Sequence, residues 1–576
     1  MIVIDRVRIQ GFRGIERLQM SLSRTSVLIG PNNSGKSSVL KALELALSDE
    51  ISVNANDFHE PVKGRPGDRI VIDVRFIPVS DSDHRDARFS DDWQKQFVGL
   101  IRHDRYHREY MAFRTVFTLE TDGIIKKSRY VINHWDAAKS GAELKELPES
   151  LQFVSIDADE NILEDLINER SFVNRILNQM HRVLERHPEY RGQPITSLAQ
   201  VLDGLAQTLE GPGTRLPDAA GLTADNIEAF FQLLKETALR GDSHELQGQG
   251  SRKSVAILSI VALADLLVMR SKYLGYPLFM MITAEEPEIH MHPNAQRVLV
   301  SELASLSHQL ILTTHSPYVA AACEPQAIRS MDRTAKGIDV RWLPQNMEQA
   351  QIRAIKRLIL RHRGEALFAR GLIFVEGVTE EQLIRGMFQA YFGDDPSAFG
   401  VSLMGVDGKS YAPFMLMALS LRKPFCVISD NDGDSQHVVT KQFEEMKRKL
   451  HIGDQPIQSS AHFLSPGLAI EGELVYKTPL REEIIDSLMS CVDRVVVSEK
   501  SMRLRRERLN EATPRELKRR LEKKKAEYSG FLGEIISRNP YGRSLDKLLP
   551  HAVSHAFADM AGWIGFRRAP TQNEHI

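Results

Sequence analysis

The chain has 576 residues, 42% of them hydrophobic and 26% charged, with a net charge of −2 at pH 7. The length exceeds a single core and implies roughly three to four domain-sized units. Near-neutrality excludes binding of polyanions by bulk charge, so any nucleic-acid contact must come from local patches.

The elements follow in chain order. Ile2 to Ile9 alternate like a strand, Ser26 to Ile29 read as a short buried strand, and Ser37 to Leu47 have helical spacing. Ile70 to Ile77 alternate again. Tyr110 to Leu119 and Ile124 to Val131 flank Asp122-Gly123, a hairpin signal. From 159 to 240 the pattern is helical around Gly211-Pro212-Gly213, which reads as a helical insertion. A second strand-and-motif block runs from Leu278 to Leu343, and the basic helical string IRAIKRLILRHR follows as a connector. At Gly371 a new α/β alternation begins, with strands Leu372 to Val375, Val401 to Met404 and Pro424 to Ser429; this predicts a small parallel sheet. Beyond Pro479 the sequence is mostly helical and ends in a polar tail. The cysteines Cys323, Cys426 and Cys491 lie far apart, without metal-binding spacing or a disulfide framework. The opening MIVIDRVRIQGF lacks the apolar core of a signal peptide, and no run approaches the ~20 apolar residues of a bilayer span. The expected setting is therefore cytoplasmic, with no membrane partner.

Gly30-Pro31-Asn32-Asn33-Ser34-Gly35-Lys36-Ser37 fits GxxxxGK[ST] between a predicted strand and a predicted helix. Gly30 and Gly35 let backbone amides curl around phosphates, and the helix N-terminus adds partial positive charge. Lys36 is placed on the β- and γ-phosphates and Ser37 on Mg²⁺. The expected cofactor-binding set is Gly30, Asn32, Asn33, Ser34, Gly35, Lys36, Ser37 and Ser38, with ATP as cofactor. Downstream, the apolar run Leu278 to Ile282 leads into Glu285-Glu286-Pro287-Glu288. Glu285 takes the Mg²⁺ position and Glu286 that of the general base. A further strand ends in Thr313-Thr314-His315-Ser316-Pro317, and His315 is placed to sense the γ-phosphate.

These strings resemble the ABC-type ATPase heads of the SMC and OLD (overcoming lysogenization defect) families, in which an EEPE-x-H-x-H-P string and a TTHSP string recur after the P-loop. The resemblance implies that Arg13, in Gly11-Phe12-Arg13-Gly14, sits near the nucleotide. It also implies a signature segment that touches ATP on a partner subunit. Gly248-Gln249-Gly250-Ser251-Arg252 is the candidate, with Gly250 as its nucleotide contact, although it departs from LSGGQ. One P-loop and one signature per chain imply a homodimer or higher homo-oligomer.

The second constellation starts at Leu372-Ile373-Phe374-Val375-Glu376-Gly377, with Glu380 four residues beyond Glu376. Gly405-Val406-Asp407-Gly408-Lys409 follows the next strand, and Asp430-Asn431-Asp432 the one after. Acids at strand carboxyl ends of a parallel sheet converge on one edge. Carboxylates without Cys or His select Mg²⁺ or Mn²⁺.

This order resembles the Toprim fold of topoisomerases, primases and OLD nucleases, whose signature is a Glu after the first strand and a later D-x-D. Glu376, Asp430 and Asp432 match it, and Glu380 matches the extra acid of the OLD string EGxTE. Glu471 and Glu473, in Ala469-Ile470-Glu471-Gly472-Glu473, are expected to complete a second metal position. OLD nucleases also use a lysine C-terminal to the acids; Lys547 is the candidate here, in competition with Lys523, Lys524 and Lys525. The stretch Arg503 to Lys525 is strongly basic and suits DNA phosphates as well as it suits a solvated helical face.

The expected architecture is α/β: an ABC-type P-loop ATPase domain over 1–363 with a helical insertion at about 159–240, a Toprim domain over 366–476 and a helical C-terminal region over 477–576. The implied function is ATP-gated, metal-dependent DNA cleavage in the OLD family, several of whose members serve phage defence, including the nuclease subunit of Gabija systems. A helicase or other defence-system protein is a candidate partner. The alternatives are an SMC-like repair ATPase whose Toprim domain binds DNA without cutting it, and topoisomerase or primase chemistry, for which no convincing tyrosine nucleophile stands out.

Overall fold

The computed structural model describes residues 1–48, 53–60, 67–80, 84–137, 139–156, 267–268, 271–272, 275–289, 291, 293–306, 308–334, 337–361, 364–449, 457–491 and 498–566. The expected helical insertion, the signature candidate with Gly250, and His290 and His292 lie outside them. The chain forms two compact units, Met1–Val340 and Arg341–Ile576.

The first unit holds two sheets. One is antiparallel: β1 (Ile2–Phe12), β2 (Ile15–Ser21), β4 (Arg69–Pro78), β5 (Ile101–His103), β6 (Glu109–Leu119), β7 (Ile125–His134) and β8 (Lys139–Glu143), in the order β2-β1-β4-β6-β7-β8 with β5 on β6. The expected hairpin is present, with Leu119 opposite Ile125 and Gly123 at φ +84° in the turn. The other sheet uses β3 (Thr25–Ile29), β9 (Leu151–Ile156), β10 (Phe279–Glu285), β11 (Gln309–Thr313), β12 (Ile328–Thr334) and β13 (Gly337–Arg341), in the order β13-β12-β3-β11-β10-β9. Its pairings from β12 through β9 are parallel. The near-continuous burial of β3, β10 and β11 is that of strands covered on both faces. The helix α1 (Lys36–Leu47) buries Val39, Leu40 and Leu43 against strands of both sheets. Gln309, fully buried, stitches the sheets together. Its carboxamide accepts from Ile4 N at 2.8 Å and donates to Ile4 O at 2.8 Å and Ser23 O at 3.0 Å.

The second unit is built on four parallel strands, β14 (Gly371–Val375), β15 (Val401–Gly405), β16 (Phe425–Ser429) and β17 (Ser459–Phe463), in the order β15-β14-β16-β17. The first three match expectation. β17, sequence SSAHF, has no apolar alternation to announce it and lies half-exposed at the sheet edge. Helices α2 (Gln349–Arg361), α3 (Val378–Phe392), α4 (Ile470–Lys477), α5 (Glu499–Asn510), α6 (Pro514–Arg538) and α7 (His551–Ile564) belong to the same unit. The connector α2 groups with the second unit, and helices beyond 477 pack on the same core. Ile373, Val375, Cys426 and Ile428 share one core with Leu517, Tyr528, Leu532 and Ile536 of α6 and Phe557 and Met560 of α7. A sheet with one uncovered apolar face needs such a layer.

Helices α3 and α6 run parallel with their backbones in contact. Ser529 Oγ donates to Gln382 Oε1 at 2.7 Å, and one turn further on Gly386 meets Gly533. A Cβ on Gly386 would collide with Gly533 O, and one on Gly533 would stand 2.9 Å from Gln382 O.

Candidate nucleotide and metal sites

In the first unit three parallel strands end side by side. β11 lies between β3, which leads into the P-loop, and β10, which ends at Glu285; Thr313 pairs with both Leu28 and Glu285. Gly30 (φ +152°) and Gly35 (φ +93°) are required as glycine, because a Cβ would strike Met331 O at the first and the Ile338 side chain at the second. Lys36 Nζ donates to Gly30 O at 2.9 Å and Pro31 O at 3.0 Å, curled inside its own loop. Burial lowers its pKa, against the opposing pull of Glu286 and Glu285.

Ser37 Oγ hydrogen-bonds Glu285 Oε1 across 248 residues of sequence. The two groups assigned to one cation are thus brought together. Glu286 is at φ 41°, its N–H bound to Thr313 O and Oγ1, and its carboxylate lies 3.3 Å from His315 Nε2. The residues expected as general base and γ-phosphate sensor therefore face one another. Arg13, at φ 47°, is held by Asp57: Nε to Oδ1 at 2.8 Å, and N to O at 2.7 Å. Asn32, Asn33, Ser34 and Ser38 stand in the loop and first turn as expected, with Asn33 at φ 63°. Glu288 had no assigned role, yet it is the knot of this edge. Buried, it accepts from Thr314 Oγ1 at 2.5 Å, His315 N at 3.1 Å and Ser316 N at 3.2 Å. Its place in the EEPE string was the available signal.

In the second unit the acids follow the carboxyl ends of β14 and β16. Glu376 leaves β14, Gly377 caps α3, and Glu380 lies in its first turn. The backbone beside them is tight: Gly408 N donates to Glu376 O at 2.8 Å, and Gly405 N to Glu381 Oε2 at 2.9 Å. Asp430 follows β16 and Asn431 fixes the turn by donating to Leu464 O at 3.0 Å. Glu471, buried in the first turn of α4, joins the same electrostatic group. Asp432 is anchored separately, by Lys409 Nζ at 2.6 Å and Ser435 Oγ at 2.9 Å. Lys409, first, pulls the Asp432 pKa down.

Burial, then Glu380, Glu376, Glu471 and Asp432, pushes the Asp430 carboxyl up to about 8. Glu376 and Glu380 are also raised, chiefly by burial. Glu376 Oε2 and Glu471 Oε1 are buried without a hydrogen-bond partner. Crowded oxygens that repel one another and lack donors are what a hard divalent cation satisfies. Among the described residues no three His, Cys, Asp or Glu side chains are grouped as a ready-made metal cage.

Two of the expected residues sit differently. Both Glu473 oxygens are taken by Ser465, from N at 3.0 Å and Oγ at 3.1 Å, so this acid ties down the loop before α4. Lys547 is exposed in the one-turn helix Leu545–Leu548. The lysines whose charge reaches Glu376 are Lys409 and Lys525. Lys525 was one of the competing candidates. Lys409 was visible only as the end of a glycine-rich turn.

The Asp430 shift sets a pH dependence. The folded chain holds a proton here that the unfolded chain releases near 3.8, so this group's contribution to stability falls as pH rises through about 8. In chelator, the melting temperature should decline across that range. Asp430→Asn should flatten the decline, and a divalent cation should reverse it. An unchanged slope in Asp430→Asn would refute the assignment.

Residues 26–321 match the family described as AAA domain, putative AbiEii toxin, Type IV TA system. Residues 367–432 match the overcoming lysogenization defect protein-like TOPRIM domain. The uncharacterized protein YbjD of Escherichia coli (strain K12) is 25% identical over 457 residues, 75% of this chain and 80% of that protein. The Old nuclease of Escherichia phage P2 is 21% identical over 441 residues, 70% of this chain and 72% of its own. The endonuclease GajA of Bacillus cereus (strain VD045) is 23% identical over 413 residues, 66% of each. The fold and its two sites define a P-loop ATPase joined to a Toprim domain. The chain belongs to the AAA-domain family described as putative AbiEii toxin, Type IV TA system.

Proposed function

We propose that the protein is a metal-dependent DNA endonuclease gated by ATP, acting in phage defence or DNA processing. The observation that carries this reading is the convergence of Glu376, Glu380, Asp430 and Glu471, with Asp432 beside them, on the carboxyl edge of the parallel sheet. Mg²⁺ or Mn²⁺ held by these carboxylates would supply the charge that activates water and neutralises a scissile phosphate. The chain's own contribution is to hold the oxygens close, with Lys409 and Lys525 adding positive charge where the phosphodiester would sit.

In the head, Ser37 and Glu285 would hold Mg²⁺ and Lys36 the β- and γ-phosphates of ATP. Glu286, oriented by Thr313 and facing His315, takes the proton of the attacking water. A head of this type works as a homodimer or larger assembly, and a helicase or other defence protein is a proposed partner. No helix among the described residues is long and apolar enough to cross a membrane; the proposed location is the cytoplasm. A cluster retaining all its acids favours cleavage over the non-cutting SMC-like alternative.

Supercoiled plasmid incubated with the purified chain and Mg²⁺ or Mn²⁺ should be nicked or linearised, with a rate that ATP changes. Light scattering with ATP and Mg²⁺ should return at least a dimer. Intact plasmid under every combination of metal and nucleotide would count against the nuclease reading, and a strict monomer against the shared-ATP reading.

A further inference from the structure

Helix α6 supplies more to the acid cluster than a lid. Its register against α3 is fixed twice, at Gln382–Ser529 and at Gly386–Gly533. Because the helices are parallel, the turn of α6 just before Ser529 lies beside the turn of α3 just before Gln382. The first carries Lys525 and Tyr528; the second carries Glu380. Tyr528 is fully buried, and so is its hydroxyl, which has no hydrogen-bond partner. Glu471 Oε1 is the matching orphan on α4, a helix that also packs on α6. Leaving two such groups buried and unpaired is unfavourable, and one is the donor and the other the acceptor that each lacks.

We infer that Tyr528 is a positioning residue of the metal centre: its phenol donates to Glu471 and fixes which carboxylate oxygen is turned toward the cation. This rests on the reading of the cluster as a metal site. A phenol has one O–H to donate, so it can hold one carboxylate oxygen and leave the other to the cation. Groups that orient metal ligands in this way typically change affinity by about 10–100-fold when removed.

The test uses the full chain and Mn²⁺ alone, titrated by calorimetry, so the readout is affinity rather than activity. Tyr528→Phe removes one oxygen and keeps the ring packed, and should weaken Mn²⁺ about tenfold with little change in melting temperature. Glu471→Gln should weaken it as well, and the double variant should be no worse than Glu471→Gln. If Glu471→Gln binds Mn²⁺ like wild type, the metal-centre reading itself fails at this residue. If Glu471→Gln weakens binding but Tyr528→Phe does not, the positioning role is overturned. A second measurement leaves position 528 unaltered. In wild type carrying isotope-labelled tyrosine, Mg²⁺ should shift the ring signal of a buried tyrosine, and Glu471→Gln should abolish the shift. Its persistence there would also overturn the proposal.

Discussion

Asp430→Ala should abolish DNA cleavage while ATP binding and most ATP hydrolysis survive. Asp430 is the acid on which burial and the other carboxylates act most strongly, so its removal costs the site charge where a cation must be held. A loss of about a hundredfold or more in cleavage rate is the scale for deleting one such transition-state contact. The P-loop and Glu285 belong to the other compact unit, and ATP chemistry there has no use for this carboxylate. Glu376→Ala should behave alike. The measurement is plasmid cleavage and phosphate release on one preparation whose fold is checked by circular dichroism. Cleavage at the wild-type rate by Asp430→Ala would remove the nuclease assignment from this cluster. Loss of ATP binding as well would break the division into two sites.

Two substitutions in the head should fail in opposite ways. Lys36→Ala removes the cation that the P-loop curls around, so nucleotide affinity should collapse by on the order of a hundredfold. Glu286→Gln keeps that cradle and the Ser37–Glu285 pair but removes the base beside His315. Hydrolysis should fall by about 10²–10⁴-fold while ATP stays bound. Equilibrium binding of a fluorescent ATP analogue separates the two, and turnover equal to wild type in Glu286→Gln would take the base role from Glu286.

Much of this was legible from local chemistry. A P-loop must lie between a strand and a helix, and an acid after an apolar run must stand at a strand's carboxyl end; Gly30 to Ser37, Glu285, Glu376 and Asp430 all follow from such short-range rules. What was illegible depended on packing. β17 is an edge strand that needs no apolar alternation because β16 supplies its register. Glu471 and Glu473 look equivalent in sequence, yet a helical turn buries the first among acids and hands the second to Ser465. Lys525 and Lys547 could not be ranked without knowing which helix lies against α3. The basic stretch Arg503 to Lys525 reads equally as a DNA-phosphate contact or a solvated face, yet α6, into which it runs, has a buried stripe of Leu517, Leu521, Tyr528, Leu532 and Ile536.

The backbone contact between Gly386 and Gly533 also bears on when, during synthesis, the second unit becomes competent. Chains emerge from the ribosome N-terminus first, and domains fold largely as they emerge. Here the strands bearing Glu376 and Asp430 are made early, but α6 cannot seat on α3 until Gly533 is available. A nascent or prematurely stopped chain therefore displays acids without Lys525, without Tyr528 and without the apolar layer over its sheet. A potentially toxic activity would be withheld until the chain has been made through Gly533.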